Sequence, residues 1–145
     1  MSRFENKELV RRYIEQVVNT GNLDALHEFV AQDYIDHNAP SGSSQGIEQA
    51  KRHLEAVHHT YGKFHVAIED QIAEGDTVVT RVSATGIHQN EWSGLRPSGR
   101  RITLTGINID KVIDGKIVEH WAEADLVSAL MQMGARIVQS EAQPT

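Results

Sequence analysis

Residues 102–134 read ITLTGINIDKVIDGKIVEHWAEADLVSALMQMG, and the fold is decided in this stretch. Its first part, Ile102 to Ile113, is dense in β-branched residues and free of proline, which predicts a strand. Asp114-Gly115 then supplies two residues that tolerate positive φ, as a type I′ hairpin turn requires. A second strand is expected over Lys116 to Glu123. At Leu126 the apolar spacing becomes helical and continues through Leu130 and Met133; Gly134 stands where a helix C′ glycine is expected. Asp125 sits at the switch.

If the second strand is regular, Ile117, Glu119, Trp121, Glu123 and Asp125 share one face, with Val118, His120 and Ala122 on the other. A single bulge reverses the assignment beyond it, and the spacing leaves both arrangements open.

Working outward from the hairpin, Thr77 to His88 reads as a strand, after a Glu74-Gly75-Asp76 turn. Phe64, Val66 and Ile68 alternate with polar residues in another, which suits a sheet with one buried face. Trp92 to Arg100 is a loop punctuated by Gly94, Pro97 and Gly99. Nearer the N-terminus the period is helical. Leu9, Val10, Tyr13, Ile14, Val17 and Val18 make an apolar stripe within Asn6 to Thr20, ended by Gly21. Asn22 is a candidate cap for a short second helix carrying Leu23, Leu26, Phe29 and Val30. After the stretch Asp33 to Pro40 and a Ser/Gly loop, a third helix carries Ile47, Ala50, Leu54 and Val57. Three helices, four antiparallel strands and a last helical turn or two predict an α+β fold, a curved antiparallel sheet wrapped around helices that enclose a pocket.

The chain has 145 residues, which suits one domain, with a polar tail after Val138 expected to fray. Its net charge of -6, with both signs interspersed, argues against a nucleic-acid partner, which calls for a basic stripe. No apolar run has membrane-span length and the N-terminus is not a signal peptide, so no membrane partner and a cytoplasmic location are expected. With no cysteine, thiolate metal sites are excluded. His53 lies five residues before His58 and six before His59, not the four that stack two imidazoles on one helix face. No metal site is expected, and His27, His53, His58 and His59 are assigned to solvated helix surfaces.

The chain resembles the SnoaL-like polyketide cyclases, a branch of the cone-shaped superfamily typified by nuclear transport factor 2. The resemblance is carried by Tyr34-Ile35-Asp36-His37-Asn38, Thr85-Gly86-Ile87-His88, Gly94 to Arg100, Asp114 to Trp121, and Asp125 followed by Gln132-Met133-Gly134. These motifs span most of the chain in order. The resemblance implies a cofactor-free intramolecular aldol closure on a small apolar polycyclic or ester substrate. It also implies an acid/base aspartate at the strand-to-helix junction, which by position is Asp125, and a homodimer or homotetramer formed through the open sheet face. Val79, Arg81, Thr103 and Thr105 alternate with apolar residues as such a face would.

The residue chemistry runs parallel to this. Abstraction of a proton α to a carbonyl needs a positioned base, and a carboxylate beside Trp121 is made more basic by desolvation. His37, Asn38, His88 and His120 are the donors available to an enolate. Each residue also has a plainer role: Asp125 as a helix N-cap, Trp121 as core, and His37 and Asn38 as partners of the local backbone. Trp92 fits either a pocket lid or a subunit interface. Ala122 and Ala124, if they face inwards, leave room beside the acid. Two other functions fit the same chain. Glu123 with Asp125 offers two carboxylates for epoxide hydrolase or isomerase chemistry, and a small-molecule binding module needs no chemistry at all.

Overall fold

The computed structural model describes residues 2–43 and 45–141. Helix α1 (Arg3–Tyr13) starts at a capping box, in which Ser2 Oγ accepts from the Glu5 amide at 3.1 Å and Glu5 Oε1 accepts from the Ser2 amide at 3.3 Å. It runs on into a π-helical turn (Ile14–Val18), and a 3-10 segment (Leu23–Glu28) follows. Next come β1 (Val30–Asp36), α2 (Ile47–Thr60), β2 (Tyr61–Glu74), β3 (Thr77–His88), β4 (Arg101–Ile113), β5 (Lys116–Ala124) and α3 (Leu126–Gln132). The strands form one sheet in the order β1-β5-β4-β3-β2. All neighbours are antiparallel except β1 and β5, which are parallel.

The α+β curved sheet agrees with the expectation, and so does the hairpin turn, where Asp114 and Gly115 have φ of 50° and 75°. Two local expectations are corrected. Val30–Asp36 is a strand, not the end of a helix. Asn22 makes no side-chain cap; its own amide donates to Thr20 Oγ1 at 3.1 Å. Residues 142–145 of the expected tail lie outside the described residues, and residues 135–141 carry no regular structure. Among the described residues no helix is long and apolar enough to cross a membrane.

The helical stripe read from the sequence packs on the inner face of the sheet. Leu9, Val10, Ile14 and Val17 join Leu26, Phe29, Leu54, Val78, Val112 and Ile117 in one buried cluster. The π-helical turn widens the helix locally, with the Asn19 amide reaching back to the Ile14 carbonyl at 2.9 Å. A second, smaller cluster joins Ile102, Ala129 and Met133 to Trp92 and Leu95, so α3 and the Trp92 loop cover one end of β4. Gly134, at φ 105°, ends α3 in a Schellman arrangement: its amide donates to the Met131 carbonyl and the Ala135 amide to that of Leu130.

Two asparagine side chains extend the sheet's hydrogen bonding. On the outer edge of β2, Asn19 Nδ2 donates to the Val66 carbonyl at 3.0 Å and its Oδ1 accepts from the Val66 amide at 2.7 Å. Beyond β1, Asn38 does the same to Ala122, at 2.6 Å in both bonds. Asn19→Ala leaves the Val66 peptide groups without these partners and is expected to reduce unfolding stability by roughly 1–3 kcal/mol. Urea denaturation measures it, and a loss within error of zero would show the two bonds to be replaceable by water.

Candidate functional site

Between the helices and the inner face of the sheet lies a cavity of about 470 Å³, within the range of small-molecule sites. Its walls are largely apolar, with Val10, Ile14, Leu54, Phe64, Val82 and Leu104 among them. Small residues, Ala84, Gly106, Ala122 and Ala124, form part of the sheet floor, so the two alanines noted in the sequence do face inwards.

The lining is set by a bulge in β5. Lys111 of β4 opposes Glu119 while Val112 opposes Ile117, which leaves Val118 as the extra residue. Ile117 therefore joins His120, Ala122 and Ala124 on the inner face, and Glu119 and Trp121 turn outward. His120 borders the cavity and Asp110 of β4 lies opposite it in the ladder. Asp110 is 4% exposed, and its Oδ1 lies 2.7 Å from His120 Nδ1. The other ring nitrogen, Nε2, has no protein partner and is not sealed off, so it opens onto the void.

Electrostatics divide the polar groups here. Burial opposes charging of His120, but the hydrogen bond from Asp110 and the charges of Asp110 and Asp36 outweigh it and raise its pKa. On α2, His53 also borders the cavity, where burial lowers its pKa; Asp36 pulls the other way and His120 adds to the lowering. Tyr13 and Tyr34 line the same end. Burial foremost, then the charges of Asp110 and Asp36, raises the Tyr13 pKa, and burial with its charged neighbours does the same for Tyr34. Both phenols therefore stay protonated, as hydroxyl donors facing the cavity.

The residues picked out in the sequence are dispersed by this geometry. Asp125 is exposed and borders no cavity; it caps α3, its Oδ1 accepting from the Ser128 amide at 3.1 Å. That corrects the expectation of a buried acid at this position: the strand ends one residue earlier and the helix takes the carboxylate. Trp121 is 38% exposed on the outer face and stacks on His37, with ring centroids 4.5 Å apart. His37 Nε2 meets Glu119 Oε2 at 2.9 Å, so His37 and Trp121 lie outside the cavity. His88 is fully buried away from the cavity, where its Nδ1 accepts from the Ser98 amide at 3.2 Å. Trp92 covers the small α3 cluster and not the cavity. Asn38, Glu123 and His120 do line it, with Glu123 exposed and apart from the capping carboxylate of Asp125.

Asp36, His53, Asp110, Tyr13 and Tyr34 are additions to the sequence-derived set. One signal for His53 was present: it completes the spacing Ala50-His53-Leu54-Val57 on the apolar side of α2. That also corrects its assignment to a solvated surface. His58 is likewise engaged, its Nε2 lying 2.8 Å from the Val18 carbonyl oxygen.

Comparison with known proteins follows from this geometry. A model of the SnoaL-like polyketide cyclase family matches residues 8–133. Aklanonic acid methyl ester cyclase DauD of Streptomyces sp. strain C5 is 27% identical over 133 residues, covering 88% of this chain and 80% of the relative. Nogalonic acid methyl ester cyclase of Streptomyces nogalater is 26% identical over 121 residues, covering 80% and 88%. Among solved structures, TsrD from Streptomyces laurentii superposes with a TM-score of 0.85 at 26% identity, over 94% of this chain and 99% of that one. Wild-type IdmH from Streptomyces antibioticus does so with a TM-score of 0.78 at 30% identity, over 90% and 99%.

Removing the cap with Asp125→Ala is expected to lower unfolding stability by about 1 kcal/mol, whereas Asp125→Asn, which keeps an acceptor, leaves it nearly unchanged. Both variants should keep turnover. Chemical denaturation beside an activity assay checks this, and an inactive but stable Asn variant would return Asp125 to the chemistry.

Proposed function

The chain belongs to the SnoaL-like polyketide cyclase family, and on that premise we propose that it is a cofactor-independent cyclase whose acid–base group is His120 backed by Asp110. The observation that carries this is the 2.7 Å pairing of His120 Nδ1 with a nearly fully buried Asp110 at the wall of an enclosed apolar cavity. Asp110 fixes the imidazole's orientation and stabilises the cation formed when Nε2 accepts a proton.

Neutral His120 removes a proton α to a carbonyl, and the C–H electron pair becomes an enolate. Tyr13 and Tyr34, held protonated, are placed at the same end of the cavity to donate to the enolate oxygen. The enolate carbon then attacks a second carbonyl of the same molecule. A C–C bond forms, the carbonyl electrons move to oxygen, and the His120 imidazolium returns its proton to that alkoxide. Every step is a proton transfer or a carbon–carbon bond formation, so the cycle closes without a redox partner. The methyl esters for which DauD and its relatives are named are the first substrates to try.

For the assembly, we propose self-association through the outer face of the sheet. Ile72, Val79, Ile109 and Trp121 are paired in register across four strands. With Ile107 beside them they leave an apolar row largely open to solvent, Ile72 being 68% and Ile107 47% exposed. Val79, Arg81, Thr103 and Thr105 fall on this same face.

His120→Gln is expected to reduce kcat/KM on aklanonic acid methyl ester roughly 10²–10⁴-fold with the fold intact. The base must be neutral and its pKa is raised, so activity should fall as pH drops through a value above the ordinary imidazole value of about 6.5. Asp110→Asn removes the cause of that rise and should move this limb to lower pH while reducing the maximal rate. A pH–rate profile with the limb unmoved would reject the pairing as catalytic. Separately, Ile109→Asp should shift the mass measured by light scattering on a sizing column towards that of a single chain, and an unshifted mass would exclude the outer face as the contact.

A further inference from the structure

The polar end of the cavity is chemically lopsided. Asp36, Asp110 and Glu123 border it, and no lysine or arginine is among its described lining residues. One of these charges is accounted for: Asp110 faces His120. Asp36 is not. It is 5% exposed, and its Oδ1 accepts from the Asn38 amide at 2.9 Å. Its other oxygen, Oδ2, has no protein partner, and it is not among the sealed unpartnered atoms, so it opens onto the void. His53, the remaining imidazole of the lining, is held towards its neutral form by burial.

A carboxylate removed from bulk water with one oxygen unpaired is costly to maintain unless a cation or several donors meet it. A hydroxyl group would satisfy the free lone pairs but leave the charge. A protonated amine does both. Tyr13 and Tyr34 lie within electrostatic reach of Asp36, and aromatic faces beside a carboxylate are favourable surroundings for an ammonium group.

We propose that the ligand of this cavity carries a protonated amine, bound by Asp36 Oδ2 beside Tyr13 and Tyr34, and that anionic ligands are excluded. This rests on the reading of the cavity as the substrate site. It assigns Asp36 a binding role distinct from the proton transfer given to His120, and it implies that an amine-installing reaction precedes this enzyme.

Three ring-matched probes test it: naphthyl-ethylamine, naphthyl-ethanol and naphthyl-acetic acid, titrated calorimetrically at neutral pH. The amine is expected to bind roughly tenfold or more tightly than the alcohol, with the acid weakest. Asp36→Asn, which retains the Oδ1 acceptor for the Asn38 amide, should reduce the amine to the affinity of the alcohol. An amine that does not bind, that binds no better than the alcohol or the acid, or that keeps its advantage in Asp36→Asn overturns the proposal. The acid–base reading fails separately, through unchanged turnover in His120→Gln, so the two outcomes are distinguishable.

Discussion

Between Lys116 and Glu119 the chain holds one more residue than β4 can pair, and the interior depends on how that surplus is taken up. With Val118 as the bulge, Ile117 enters the main core while His120, Ala122 and Ala124 keep to the same side. Without it, the side-chain period of two would send either Ile117 or His120 to solvent. The small residues then leave a hollow where a packed core would otherwise close, and α1 with its π-helical turn forms the opposite wall. The cavity is thus a product of register: it is a place where the sheet presents short side chains to helices that cannot come nearer.

Placing ionisable groups in such a hollow has a physical consequence for chemistry. In a medium of low effective dielectric, neighbouring charges dominate protonation, and the same enclosure drives two imidazoles in opposite directions. His120, touching Asp110, is pushed towards the cation; His53, without a contact partner, is held towards neutrality. Tyrosines beside carboxylates keep their protons. The result is a set of donors and acceptors with fixed roles, which is the condition under which proton transfer competes with solvent.

Much of this fold was legible in residue order, and its legibility followed locality. The β4–β5 hairpin, the end of α3 at Gly134 and the stripe of α1 each rest on signals within a few residues. β1 was not legible, because Val30–Asp36 pairs in parallel with a strand more than eighty positions later and has no turn beside it to announce it. The site was read less well, for a related reason. A carboxylate before a helix has two uses, and spacing cannot tell an N-cap from a base; at Asp125 the cap prevailed. Asp110 lies in a strand whose outward residues, Ile107 and Ile109, are as apolar as its inward ones, so alternation gave no hint of which face it took. His53 was legible on the apolar side of its helix, but three neighbouring histidines masked it.

The asparagine ladder on β2 bears on how copies of this chain meet. A long border strand ordinarily offers free peptide groups to any passing segment, and successive additions of that kind have no natural end. Here Asn19 occupies the outward peptide groups of Val66, two irregularities interrupt the strand's pairing, and Gln71 reaches back to the Lys7 carbonyl. With its rim spoken for, the protein is guarded against open-ended fibrous growth, and recognition between copies is confined to broad surfaces, where symmetry closes the particle at a finite size.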